Sequence, residues 1–192
     1  MAPPQSYMNF DNSHFSRFVN LTEPDRAWHP EFHYFGANIY SYLLAKYGEY
    51  VDFVSMQLYE SYSLAAMAVY HEKIAPEDYL VSYIEDLVVR QQSKYYVDFS
   101  RDPEMNMQGQ HVYFPLSKLV IGLANGWAAD SSNEKHIYIS PEQVETAYKA
   151  LQSLSKGDLT PRGFMFWTIE EEGANGVYLA RGLRRVLGLR GQ

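Results

Sequence analysis

The side chains that could do chemistry gather near the ends of three apolar segments. Met56, Gln57, Tyr59 and Glu60 close the run YVDFVSMQLYE, Trp127 follows KLVIGLA, and Trp167 closes GFMFW. Tyr59 and Gln57 could hold a polar group of a substrate, or they could be interior polar residues bonded to each other. A tryptophan packs in a core or offers its face to a flat ligand, such as the C–H face of a sugar ring. Trp127 could stack in this way at the end of a strand or simply anchor its loop. Glu170, Glu171 and Glu172 could supply an acid or bind a cation, although an acidic run after a strand also suits a solvated loop. The histidines at 14, 29, 33, 71, 111 and 136 show no helical pairing. His29 and His33 are four apart, but Pro30 disfavours a continuous helix between them. With no cysteine in the chain, disulfides and thiolate zinc sites are excluded. No metal site or cofactor is predicted. Trp28 falls in a long loop and has no assigned role.

Alternating helix and strand patterns must position these residues. Ala37 to Tyr47 carries Ile39, Leu43, Leu44 and Tyr47 at helical spacing, and Gly48 stops it. Tyr50 to Tyr59 is rich in β-branched and aromatic residues and reads as a strand. Pro76 to Tyr95 reads as a long helix with Glu77 and Asp78 beside its opening proline. Ser100 to Gln110 is polar and reads as a loop. Lys118 to Ala124 is an apolar run of buried-strand type. Ser140-Pro141-Glu142-Gln143 is a capping box that opens a helix to about Leu154, with Lys156-Gly157-Asp158 ending it. Gly163 to Ile169 is the third strand. Val177 to Leu187 is the closing helix, with Arg181, Arg184 and Arg185 toward its C-terminal end. Helical crossovers between strands imply a parallel sheet in an α/β fold of one domain over residues 1–192. The nearly continuous apolar character of the strands predicts cover on both faces.

Composition bounds the function. The 192 residues are 46% hydrophobic, enough to build a core rather than a disordered tail. A net charge of -7 argues against nucleic acid and anionic membranes, which require clustered Lys and Arg. No apolar run approaches the roughly 18 residues of a membrane span. The opening MAPPQS has neither a basic start nor an apolar stretch, so it does not read as a signal peptide, and the compartment stays open. The chain holds 17 tyrosines, an excess that suits sugar-stacking platforms and also suits the rim of a core.

Three segments carry a resemblance. Asp52-Phe53-Val54-Ser55-Met56-Gln57-Leu58-Tyr59-Glu60 looks like the sixth barrel strand of glycoside hydrolase family 18, the chitinase-like enzymes, which ends in M-x-Y-D or Q-x-Y-N. Lys118 to Ala124 is similar to the seventh, K followed by three apolar residues and G-L-P. Gly163 to Ile169 looks like the eighth, with its M-x-W-S/T. The opening Met1-Ala2-Pro3 resembles the M-A-P at the end of the fifth. All four appear in family order and span nearly the whole chain.

The resemblance implies a partial (β/α)8 TIM barrel, from the end of strand five to helix eight, and hydrolysis of β-1,4-linked N-acetylglucosamine glycans such as chitin. Tyr59 matches the tyrosine that hydrogen-bonds the N-acetyl carbonyl, and Gln57 matches a position touching the same acetamido group. Trp167 matches the tryptophan flooring the distorted sugar, Met56 is expected to line the barrel beside it, and Glu60 stands where the family has Asp or Asn. In this family the substrate's own N-acetyl oxygen attacks the anomeric carbon while a glutamate protonates the glycosidic oxygen. That glutamate belongs to D-x-x-D-x-D-x-E on the fourth strand, which would precede Met1. The nearest run, Val97 to Glu104, matches only at Asp102 and Glu104, and Pro103 would remove a ladder donor. The chain alone is therefore expected to orient substrate without cleaving it.

A full barrel needs eight strands and about 250 residues. Half a barrel exposes apolar strand edges, so the expected partners are the missing N-terminal half or a second copy, unless the chain folds as a small open sheet. Two alternatives remain beside the hydrolase. One is a non-catalytic, lectin-like glycan binder. The other is an unrelated α/β domain, and it alone expects Gln57, Tyr59 and Trp167 to lie apart.

Overall fold

The computed structural model describes residues 1–8, 13–18, 38–61, 63–93, 95–113, 115–130, 136–154 and 159–189. Trp28, His29, Pro30, His33 and the 156–158 stop lie outside the described residues.

A three-stranded parallel sheet carries the fold. Its strands β1 (Val54–Gln57), β4 (Leu119–Ala124) and β5 (Gly163–Trp167) lie side by side in chain order. Val54 pairs with Leu119, Gln57 with Gly122, and Ala124 with Trp167. The opening residues run parallel to the outer side of β1. Met1 O accepts from Ser55 N at 2.7 Å, and Pro3 O accepts from Gln57 N at 2.9 Å. Pro3 and Pro4 have no N–H to return, so this line bonds β1 without becoming a regular strand. Regular pairing in β1 is shorter than the run from Tyr50 suggests. Gly48–Tyr50 instead forms a 3-10 turn after α1 (Ile39–Tyr47), and Phe53 stays half exposed.

The helices follow their start signals. Ser140 caps α4 (Pro141–Gln152) by accepting from Gln143 N at 3.2 Å, while the Gln143 side chain accepts from Ser140 N at 2.9 Å. These bonds satisfy two otherwise orphaned donors. Pro76 opens α3 (Pro76–Ser93), and α5 (Leu179–Val186) closes the described chain. Asn38 precedes α1 and is fully buried. Its Oδ1 accepts from the Tyr95 hydroxyl at 2.6 Å, and its Nδ2 donates to His14 O at 2.9 Å. Two elements lack a clear sequence signal. One is a helical turn, α2 (Leu64–Ala66), continuing as a π-helix over Met67–His71. The other is a short antiparallel pair, β2 (Tyr96–Val97) with β3 (Gln110–His111), on either side of the polar loop.

The two sheet faces differ. Val54, Met56, Leu58, Leu119, Ile121 and Leu123 alternate onto one face and are all at most 2% exposed. They form one core with Leu80, Ile84 and Leu87 of α3, Val144, Ala147 and Leu151 of α4, and Leu179 and Leu183 of α5. Burying each large apolar side chain stabilises the fold by about 1.5–3 kcal/mol. The opposite face carries Gln57, Gly122, Ala124, Met165 and Trp167 by the same alternation. This face is covered as well, by loops rather than by the helices of the main core: Ser55, Gly122 and Ala124 are buried, and Ala124 clusters with Tyr59 and Ala128. Only at the rim does it open, where Trp167 is 57% exposed.

Candidate binding cleft at the carboxyl ends of the strands

The three parallel strands all end at the same rim. There the loops after β1, β4 and β5 enclose an open cleft of about 590 Å³, lined by Gln57, Tyr59, Glu60, Trp127, His136, Trp167, Thr168 and Glu171. Five of the six residues expected from the sequence therefore meet in one place. Met56 does not. It is fully buried on the helix-covered face with Val54 and Leu58, because neighbours along a strand point to opposite sides and Gln57 takes the cleft side.

Tyr59 is packed by its ring and polar at its tip. The ring is 7% exposed and clusters with Ala124 and Ala128, flanked by Trp127, Tyr138 and Met165. Burial, with a smaller contribution from the Glu60 carboxylate, pushes the phenol from 10.0 up to about 12. The hydroxyl is a donor at neutral pH and stays one further into the alkaline range than an ordinary tyrosine. Gln57 is fixed from the side of the opening residues, since its Nε2 donates to Ala2 O at 2.9 Å. That bond leaves Gln57 Oε1 as the acceptor of the pair, with no bond to it among the described residues. The two side chains accordingly do not spend their hydrogen-bonding capacity on each other.

The Trp167–Thr168 peptide is cis, and side chains from the loop after β4 hold it. Trp167 O accepts from Trp127 Nε1 at 2.6 Å and from Asn125 N at 3.2 Å. Thr168 O accepts from Asn125 Nδ2 at 2.6 Å. Trp127 is consequently an anchor as well as a wall of the cleft, since its only N–H is committed to the backbone. Asn125 is fully buried. Gly126 lets the loops after β4 and β5 touch. A Cβ built there would stand 2.0 Å from Ala174 O, and Asn175 Nδ2 donates to Gly126 O at 2.8 Å.

His136 belongs to the cleft and was not singled out by its sequence neighbourhood. Its Nδ1 meets Tyr59 O at 3.0 Å, its Nε2 meets the Ser61 hydroxyl at 3.3 Å, and its ring stands edge-on to Trp127 at 4.8 Å. Of the acidic run after β5, only Glu171 reaches the cleft. Glu172 serves α5 instead, with Oε1 accepting from Ala180 N at 2.8 Å. Asp102 and Glu104, the weak match to an acid signature, do not line the cleft. Both pair with Arg17 beside a 3-10 turn over Pro103–Met105. Among the described residues, no group of three or more His, Asp or Glu is gathered to hold a metal ion. No helix of the described residues is long and apolar enough to cross a membrane.

No protein-family model, no curated protein and no solved structure matches this chain.

Proposed function

We propose that the cleft binds β-1,4-linked N-acetylglucosamine glycans, and that the chain is the substrate-orienting half of a chitinase-type hydrolase of glycoside hydrolase family 18. The observation that carries this reading is the meeting of Gln57, Tyr59 and Trp167 at one rim.

The chemistry of the cleft fits an acetamido sugar. An acetamido group has one carbonyl acceptor and one N–H donor. Tyr59, a neutral phenol at pH 7, donates to the carbonyl. Gln57 Oε1, opposite the Nε2 bonded to Ala2 O, accepts from the N–H. The exposed indole of Trp167 offers an apolar face to the C–H side of the pyranose ring. Held in this way, the acetamido oxygen stands ready to attack its own anomeric carbon, and its orientation is what the protein contributes to the step.

The architecture supports the same reading. The opening residues, β1, β4 and β5 lie parallel and in chain order, as consecutive strands of a (β/α)8 barrel do, and barrel enzymes place their chemistry at the carboxyl ends of the strands. The sequence given contains no D-x-x-D-x-D-x-E run. The reading therefore assigns protonation of the leaving oxygen to a carboxylic acid outside this sequence, and it assigns binding and orientation to this chain.

Titration with a chitooligosaccharide, followed by tryptophan fluorescence and by product analysis, tests the proposal. Saturable quenching without cleavage is expected. Absence of binding would remove the glycan reading, and cleavage by the chain alone would overturn the assignment of the acid.

A further inference from the structure

The charges of the cleft carry the reading one step further. Beside the aromatic side chains, the wall holds two carboxylates, Glu60 and Glu171, one imidazole, His136, and no Lys or Arg. Among the described residues, no ion pair or side-chain hydrogen bond neutralises either carboxylate. Glu60 lies close enough to the Tyr59 hydroxyl to disfavour its ionisation, which puts one negative charge next to the proposed acetamido site. Glu171 follows Trp167 and Thr168 and lines the same cleft. The Trp167 face, with its negative quadrupole, is exposed there as well. A neutral, fully acetylated glycan would leave both carboxylates without a partner. A free amino sugar carries an ammonium group, which interacts favourably with carboxylates and with an indole face.

We infer that the cleft selects partially deacetylated glycans, whose free amino sugars sit against Glu60 and Glu171, over fully N-acetylated ones. This inference rests on the glycan reading above and specifies its substrate. An acetamido unit occupies the Tyr59–Gln57 site, and ammonium-bearing neighbours occupy the acidic walls.

The test compares two β-1,4-linked oligomers of equal length, one fully N-acetylated and one partially deacetylated. Binding to the whole chain is measured by calorimetry at about pH 5.5, above the ordinary carboxylate range of roughly 4. The deacetylated oligomer is expected to bind about threefold to tenfold more tightly, the range for one or two solvent-screened charge pairs. That preference should shrink on going from low salt to roughly 0.5 M salt. The double variant Glu60→Gln with Glu171→Gln should lose the preference and bind the two oligomers with equal affinity. Equal or weaker binding of the deacetylated oligomer, or a preference indifferent to salt and to the double variant, would overturn the inference and leave the glycan reading standing. Binding of neither oligomer would remove both. The salt series uses the unaltered chain, so a variant that failed to fold would not block the result.

Discussion

The indole Nε1 of Trp127 donates to the main-chain carbonyl of Trp167 at 2.6 Å, so one tryptophan of the cleft fixes the backbone of the other. The ends of β4 and β5 are joined there by a side chain rather than by the ladder alone. Replacing Trp127 by Phe keeps an aromatic wall and deletes that donor, leaving the carbonyl its weaker bond from Asn125 N at 3.2 Å. Trp127→Phe is expected to cost about 1–2 kcal/mol in denaturant unfolding. It should also weaken glycan binding, although the indole face of Trp167 is untouched.

Tyr59→Phe and Trp167→Ala separate orientation from stacking. The Tyr59 ring is packed and stays in place as Phe, so stability should change little, while binding of an N-acetylated oligomer should fall by about threefold to tenfold for one lost hydrogen bond. Trp167 is 57% exposed. Its removal should leave the midpoint of unfolding nearly unchanged and abolish most of the fluorescence response to ligand. Undiminished affinity in both variants, measured by calorimetry, would count against the cleft as the sugar site.

Gly126→Ala should act through the backbone. The new Cβ would fall 2.0 Å from Ala174 O, and a main-chain atom cannot swing away as a flexible side chain can. Forcing the loops after β4 and β5 apart is expected to cost about 1–3 kcal/mol. It should also disturb Trp127 and Trp167 together, visible as a shift in intrinsic fluorescence before any ligand is added.

The buried phenols set the alkaline limit. Tyr59 is raised from 10.0 to about 12, and burial also raises Tyr79, Tyr83 and Tyr95. Each favours the folded state only while neutral. Between the unfolded and folded values the unfolded chain has lost protons that the folded chain keeps, so stability falls as pH rises. The contribution is full below about pH 10 and is lost as pH climbs through the folded values. Unfolding midpoints measured from pH 8 upward should therefore decline above about 10, together with a delayed appearance of phenolate absorbance.

Several features of the fold were legible in single segments. The capping box at Ser140 and Gln143 formed as written, because both bonds lie within four residues. Leu119–Ala124 and Gly163–Trp167 formed strands where unbroken apolar runs predicted them. Met56 was expected in the site and is not there, although period-two alternation with Gln57 carried the signal. The π-helix at Met67–His71 and the two-residue pairing of β2 with β3 have no comparable local pattern.

The sequence by itself determined the main helices and the three parallel strands, the α/β class, and the polar and aromatic residues at the strand ends. These follow from local spacing, capping and hydrophobic period, which act over a few residues. Only the tertiary structure decided which face the helices cover and which side chains share the cleft. It brought in His136 from a segment 77 residues beyond Tyr59, and it made Asn125 and Trp127 the clamp on the Trp167 backbone. Those relationships depend on the register between strands and on loops touching across the rim, where distance in space bears no relation to distance along the chain.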